Sequence, residues 1–236
     1  MRVHDLAGRP RGLGFVGDHR GTVVTSHEVV DGLARLVLRA ADGERCCVVP
    51  AAEVTSLPEL GLALVRTQGL GVGPLPVSGR ERVGIGAYVR IAAGGWREAR
   101  VLGAVPATYS LTDRLHLLDG ALELAIGTAG RDALRTGGGV AGGPVLDAGT
   151  GAVVAVLGTA LRSGQRDAVL AVPLDPGSGG PLAELLAENA ATVPAYGADL
   201  NLAGVVELTA TSVGQDGPPA DAGGAAAPVE RGATAR

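Results

Sequence analysis

The chain has 236 residues, 46% hydrophobic, 19% charged and only 2% aromatic, with a net charge of −4. That length buries a core in one or two compact domains, and the composition is that of a soluble globular protein. With no block of like charge, no basic–aromatic patch and no apolar run of bilayer length, neither nucleic acid nor a membrane is an expected partner.

The N-terminus, Met1 to Leu6, lacks the apolar core of a signal peptide, so a cytoplasmic protein is expected. Short apolar runs, most of them Val-rich, then recur at 13–17, 21–26, 33–40, 45–50 and 62–66. After a break near Pro74 to Arg82 they resume at 86–92, 97–104, 114–118, 121–127, 144–147, 152–160 and 168–173. Their length and their Gly, Asp and Pro punctuation predict an all-β fold. The pairs Asp42-Gly43, Asp119-Gly120 and Thr150-Gly151 are expected at hairpin turns. Cys46 and Cys47 are adjacent, and neighbours on a strand face opposite sides, so two free thiols in a reducing compartment are expected. Residues 181–189 carry helical spacing with Pro181 in the first turn. Beyond about Ser212 the chain is dominated by Gly, Ala, Pro, Asp and Gln, and 214–236 holds no Leu, Ile or aromatic residue. Such a stretch cannot bury enough to fold alone.

Four stretches, in order, resemble motifs of one family. Gly12-Leu13-Gly14-Phe15-Val16 matches a Gly-x-Gly-Phe entry to a first hairpin. Thr25-Ser26-His27-Glu28-Val29-Val30 matches the segment that carries a catalytic histidine, Thr-x-x-His-Val-Val. Gly61-Leu62-Ala63-Leu64-Val65-Arg66 matches Asp-Leu-Ala-Leu-Leu-Arg, which opens on a catalytic aspartate. Gly139-Val140-Ala141-Gly142-Gly143-Pro144 stands for Gly-Asp-Ser-Gly-Gly-Pro, the nucleophile box. Over residues 3–191 the chain resembles the trypsin-like (chymotrypsin-fold) serine proteases, in particular their compact bacterial branch. The resemblance implies two antiparallel six-stranded β-barrels, at 1–80 and 81–191, a helix closing the second, and an extension or tail over 192–236.

The catalytic device of that family needs a hydroxyl nucleophile, an imidazole to take its proton and a carboxylate to orient the imidazole. The nucleophile position is Ala141 and the carboxylate position is Gly61. For the imidazole, the ungapped alignment, which is preferred here, puts Glu28 in the slot and His27 one residue before it. One residue turns a helical side chain by about 100°, so His27 would not reach the same point. His27, Glu28, Gly61 and Ala141 are thus vestigial triad positions, and loss of a nucleophile alone costs on the order of 10⁶ in turnover. The N–H groups of Gly139 and Ala141 occupy the family's oxyanion-hole positions and need no side chain; a retained glycine turn explains them equally well. Val140 replaces the aspartate that pairs with a new N-terminus in vertebrate trypsins.

Gly177-Ser178-Gly179-Gly180-Pro181 spells the box with its serine, but a helix follows at once, whereas 141–144 is followed by two strands; position outweighs spelling. His4, His19, His27 and His116 show no metal-ligand spacing and are expected as ordinary surface or turn residues, and no cofactor or metal is expected. The expectation is a catalytically inactive homologue that acts as a binding or regulatory module for a peptide or protein, in a larger protein with a fused C-terminal domain. The alternative is an active serine endopeptidase with an unrecognised nucleophile; a third reading is a decaying copy with no selected function.

Overall fold

A computed structural model of the chain describes residues 1–68, 70–78, 83–110, 114–136, 139–164 and 168–194. The first half holds eight short strands: β1 (Arg2–His4), β2 (Pro10–Leu13), β3 (Phe15–Val16), β4 (Val23–Ser26), β5 (Arg35–Arg39), β6 (Cys46–Pro50), β7 (Val54–Leu57) and β8 (Leu62–Val65). One turn of helix, α1 (His27–Val30), follows β4. The second half holds β9 (Tyr88–Ala92), β10 (Trp96–Ser110), β11 (Leu115–Ile126), β12 (Pro144–Asp147), β13 (Val153–Gly158) and β14 (Val169–Pro173). Its helices are α2 (Thr128–Thr136) and α3 (Gly180–Thr192).

The second half is the expected barrel: β10-β11-β14-β13-β12-β9 closes on itself, antiparallel throughout. The first half is two four-stranded sheets, β2-β1-β5-β6 and β3-β4-β8-β7. Six chain segments make these eight strands, because β2 and β3 are separated only by Gly14, and β6 and β7 only by a 3-10 turn, Ala51–Glu53. Strands that switch sheets at such corners are how two sheets share one core. Gly14 allows the first corner: a Cβ there would stand 2.7 Å from Val23 Cγ1 and 3.0 Å from the Val24 carbonyl oxygen.

The expected runs map onto strands with two differences. The runs 97–104, 114–118 and 121–127 belong to one long hairpin, β10 with β11, and Asp119-Gly120 lies inside β11 rather than at a turn. The ladder slips there, between Val105 and Ala107, which is a bulge opposite Pro106, a residue with no N–H to give. By contrast, Gly43 and Gly151 do take left-handed turn conformations, at φ 76° and 72°. In the first turn the Asp42 carboxylate also accepts from Glu44 N at 3.1 Å and from the Arg45 guanidinium.

Helix α3 spans 180–192, three residues beyond the predicted end, and packs Leu182, Leu185 and Leu186 into an apolar cluster with Phe15 and Val24 of the first half and Leu170 of the barrel. Asn189, 1% exposed, ties three segments: its Oδ1 accepts from Val77 N at 2.8 Å, and its Nδ2 donates to Gly17 O at 2.7 Å and Leu75 O at 2.8 Å. The predicted break includes 79–82, and the predicted tail includes 195–236; both stretches lie outside the described residues. No helix among the described residues is long and apolar enough to cross a membrane.

Candidate functional site

Buried β4 delivers the chain to α1 at the junction of the two halves. His27 N donates to Gly61 O at 2.9 Å, which extends the β4–β8 ladder by one residue and sets positions 27 and 61 side by side. Gly61 is left-handed, φ 64°, and a Cβ on it would stand 3.2 Å from Leu118 Cδ1 and 3.3 Å from Val172 Cγ2. The backbone and its neighbours there suit glycine better than any carboxylate.

The 139–143 loop wedges between the halves. Leu13 N donates to Ala141 O at 2.7 Å, Gly142 N donates to Leu157 O at 2.7 Å, and Leu157 N returns a bond to Gly143 O at 2.9 Å. Gly142, φ 79°, lies so close to Thr25 Oγ1 and Leu13 O that no Cβ fits. Ala141 is 5% exposed, with its methyl in the first half's apolar cluster beside Val29, while Val140 belongs to the barrel's cluster. Two neighbouring apolar side chains of this loop are thus buried, one in each half's cluster. The Gly139 and Ala141 N–H groups make no hydrogen bond among the described residues.

The structure sets position 61 beside 27, and Gly142 beside Thr25 and Ser26, but His27 and Glu28 point different ways. The Glu28 carboxylate reaches the segment after β13: it accepts from Thr159 N at 2.6 Å, Ala160 N at 2.7 Å, Thr159 Oγ1 at 3.1 Å and Ser26 Oγ at 3.2 Å. His27 is buried on the other side, with Nδ1 3.4 Å from the Tyr109 hydroxyl, which donates to Pro58 O at 2.5 Å. His116 stacks on Tyr109 with centroids 5.0 Å apart, and its ring meets that of His27 edge-on at 6.4 Å. The expectation that the histidines are surface or turn residues fails for His27 and His116. Tyr109 and His116 are cross-strand partners on the long hairpin, whose end carries them under the first half.

Beside the 139–143 loop, between α2 and β13–β14, lies a cavity of about 400 Å³, lined by Leu134, Leu157, Leu161 and Val169 with Arg131 and Arg162. The Arg162 guanidinium donates to Thr159 O and Leu161 O, whereas Arg131 joins no ion pair among the described residues. Ser178 sits in a 3-10 turn, its hydroxyl donating to Asp175 O at 2.7 Å, and Asp175 caps the same turn by accepting from Gly177 N at 2.8 Å. Among the described residues no group of three or more His, Cys, Asp or Glu is placed to hold a metal. Cys46 is exposed and Cys47 half-buried, both free thiols; burial and the neighbouring Cys46 push the Cys47 thiol up.

Residues 12–156 match the family model described as the trypsin-like peptidase domain. In three dimensions the chain is similar to Rv3671c of M. tuberculosis, as a serine-to-alanine mutant in its inactive form (TM-score 0.54, 22% identity, covering 82% of this chain and 87% of that one). It is also similar to the MamO protease domain from Magnetospirillum magneticum (0.52, 21% identity, 75% and 90%) and to the HtrA-type protease AlgW with tripeptide (0.52, 14% identity, 73% and 55%). No curated protein matches the chain in sequence.

Proposed function

The chain belongs to the trypsin-like peptidase family, and we propose that it serves there as a non-catalytic binding or regulatory module. The observation that carries this reading is Ala141: the nucleophile position of the box holds a methyl group buried in an apolar cluster. Two further features support it. Gly61 holds a left-handed turn where the family places its carboxylate, and the Glu28 carboxylate is occupied by the donors of Thr159 and Ala160. What persists is the cavity beside the box. Its apolar wall and its two arginines suit a peptide bearing an acidic side chain or a free carboxylate, since a guanidinium pairs with a carboxylate through two donors. The family's association with larger proteins extends the reading to a chain that transmits binding to a fused domain.

The alternative, an active endopeptidase with an unrecognised nucleophile, requires a serine beside a base. The one serine spelled like a nucleophile, Ser178, is bound to its own turn. A fluorophosphonate probe and casein turnover test the proposal together. Neither labelling nor turnover is expected; labelling that a serine substitution abolishes, with turnover that survives purification, would overturn it.

A further inference from the structure

Among the described residues, the far end of the long hairpin carries an unfilled strand position. β14 pairs with β11 only at Leu122, Glu123 and Leu124, so β11 from Leu115 to Gly120 has a strand partner on one side alone, β10, among the described residues. The direction of its backbone groups follows from β10. Thr108 exchanges both of its main-chain bonds with Arg162, at 2.8 and 2.7 Å, and so points away from β11. Its partner Leu117 is therefore in a non-hydrogen-bonded pair, and its own N–H and C=O face the open edge, as do those of Leu115 two residues earlier. The Leu115 and Leu117 side chains are 61% and 67% exposed.

Along that edge lies a second cavity, of about 470 Å³, enclosed by the edge, the Leu60 turn, the end of β14 and the start of α3. Its apolar wall includes Leu60, Leu118, Val172 and Leu182, and Glu59, Asp119 and Asp175 line it as well. Glu59 and Asp119 join no ion pair or hydrogen bond among the described residues. It shares no lining residue with the cavity beside the 139–143 loop.

We propose that this edge is a docking strand for an extended, basic segment of a partner protein, one that alternates apolar residues with Arg or Lys. The segment adds a strand to β11 through the Leu115 and Leu117 main chain, sets apolar side chains into the cavity and places its cations against Glu59, Asp119 and Asp175. Main-chain pairing supplies affinity in this mode and the alternate side chains supply selection. An open apolar edge is otherwise a hazard that folded chains cover or charge, and the charges lining this cavity are all negative.

The test uses the full chain and a fluorescein-labelled peptide of alternating Arg and Val, read by fluorescence anisotropy, with a Glu–Val counterpart and a backbone N-methylated copy as controls. The basic peptide binds, the acidic and N-methylated ones do not, and amide exchange at Leu117 slows in the complex. Leu117→Lys weakens binding at least about tenfold, since it removes an apolar side chain from the edge and sets a cation against the basic peptide. Glu59→Gln with Asp119→Asn weakens it without touching the apolar wall, and serves if the Leu117 variant fails to fold. The proposal is overturned by equal binding of basic and acidic peptides, by no binding, or by an unchanged Leu117 amide. A dimer in solution that Leu117→Lys dissolves would overturn it too, since a second copy would then own the edge.

Discussion

Glu28 and Ala160 join the two halves of the molecule: a carboxylate on the first helical turn accepts the N–H of Ala160 at 2.7 Å, with that of Thr159 beside it at 2.6 Å. The contact runs from the first half to the segment after β13, so an acidic side chain on α1 holds two substructures together.

That role predicts a stability effect from a residue with no catalytic partner. Glu28→Ala leaves two N–H groups and two hydroxyls without their acceptor, in a place where water reaches in part, so a loss of about 1–3 kcal/mol is expected. Glu28→Gln, with one acceptor oxygen in place of two, should fall between. Urea unfolding of the three proteins decides this, and equal midpoints would mean that the contact is replaced by water at no cost.

Asn189 performs a similar task from α3, but fully buried. Asn189→Leu strands Val77 N, Gly17 O and Leu75 O at once, and a buried unsatisfied group costs about 1–3 kcal/mol. A drop of at least about 3 kcal/mol is expected for the three, and Asn189→Asp should rescue little, since a carboxylate cannot donate to the two carbonyls. Thermal unfolding near the wild-type temperature for Asn189→Leu would show that α3 is held by its leucines alone.

Stability should also depend on acid through Asp5. The Arg9 main-chain N–H, at 2.9 Å, and its Nε, at 2.7 Å, hold the Asp5 carboxyl below the usual carboxylate range. A depressed folded-state pKa gives stability that is present above the unfolded value of about 3.9 and is lost as pH falls through the folded one. Asp5→Asn should therefore be less stable than wild type at neutral pH and indistinguishable from it in strong acid. A difference that persists unchanged to low pH would assign the effect to something other than the charge.

Much of this molecule is legible in the chain. Many of the short runs become strands because they are buried apolar segments bounded by turn residues, as β4 and β13 are, and the 139–144 box is readable because its glycines answer to backbone geometry, as the close approach of Gly142 to Thr25 shows. Other parts have no local signal. α2 is hidden because Gly130 interrupts its pattern, and that glycine lets the Ile126 side chain lie where a Cβ would otherwise force it to shift. The hairpin reads as two pieces at Asp119-Gly120 because a bulge and a turn use the same residues. His27, Glu28, Gly61 and Ala141 can be singled out in the sequence, but the destination of Glu28 cannot, since Thr159 and Ala160 offer mainly main-chain N–H groups to it. Tyr109 and His116 are invisible as a pair for a related reason: only the hairpin register brings them together and beneath His27.

The imidazole register can be tested by rebuilding the device. In Ala141→Ser with Gly61→Asp the new hydroxyl gains no base: Glu28 is committed to Thr159 and Ala160, and His27 is buried toward Tyr109 and His116. That double variant should not be acylated by an activated ester above the rate of wild type. It should also be less stable. The aspartate introduced at Gly61 must adopt a left-handed backbone, which costs about 1–2 kcal/mol, and a serine hydroxyl enters an apolar cluster. Adding Glu28→His puts an imidazole in the slot and releases the Thr159 segment. Slow acylation should then appear, since a positioned base is what a serine lacks when it stands alone. Labelling by a fluorophosphonate, followed by mass spectrometry of the modified peptide, reads the result at residue 141 itself. If the double variant acylates as fast as the triple one, His27 turns into the cleft when a serine is present, and it is Glu28 that stands outside the device.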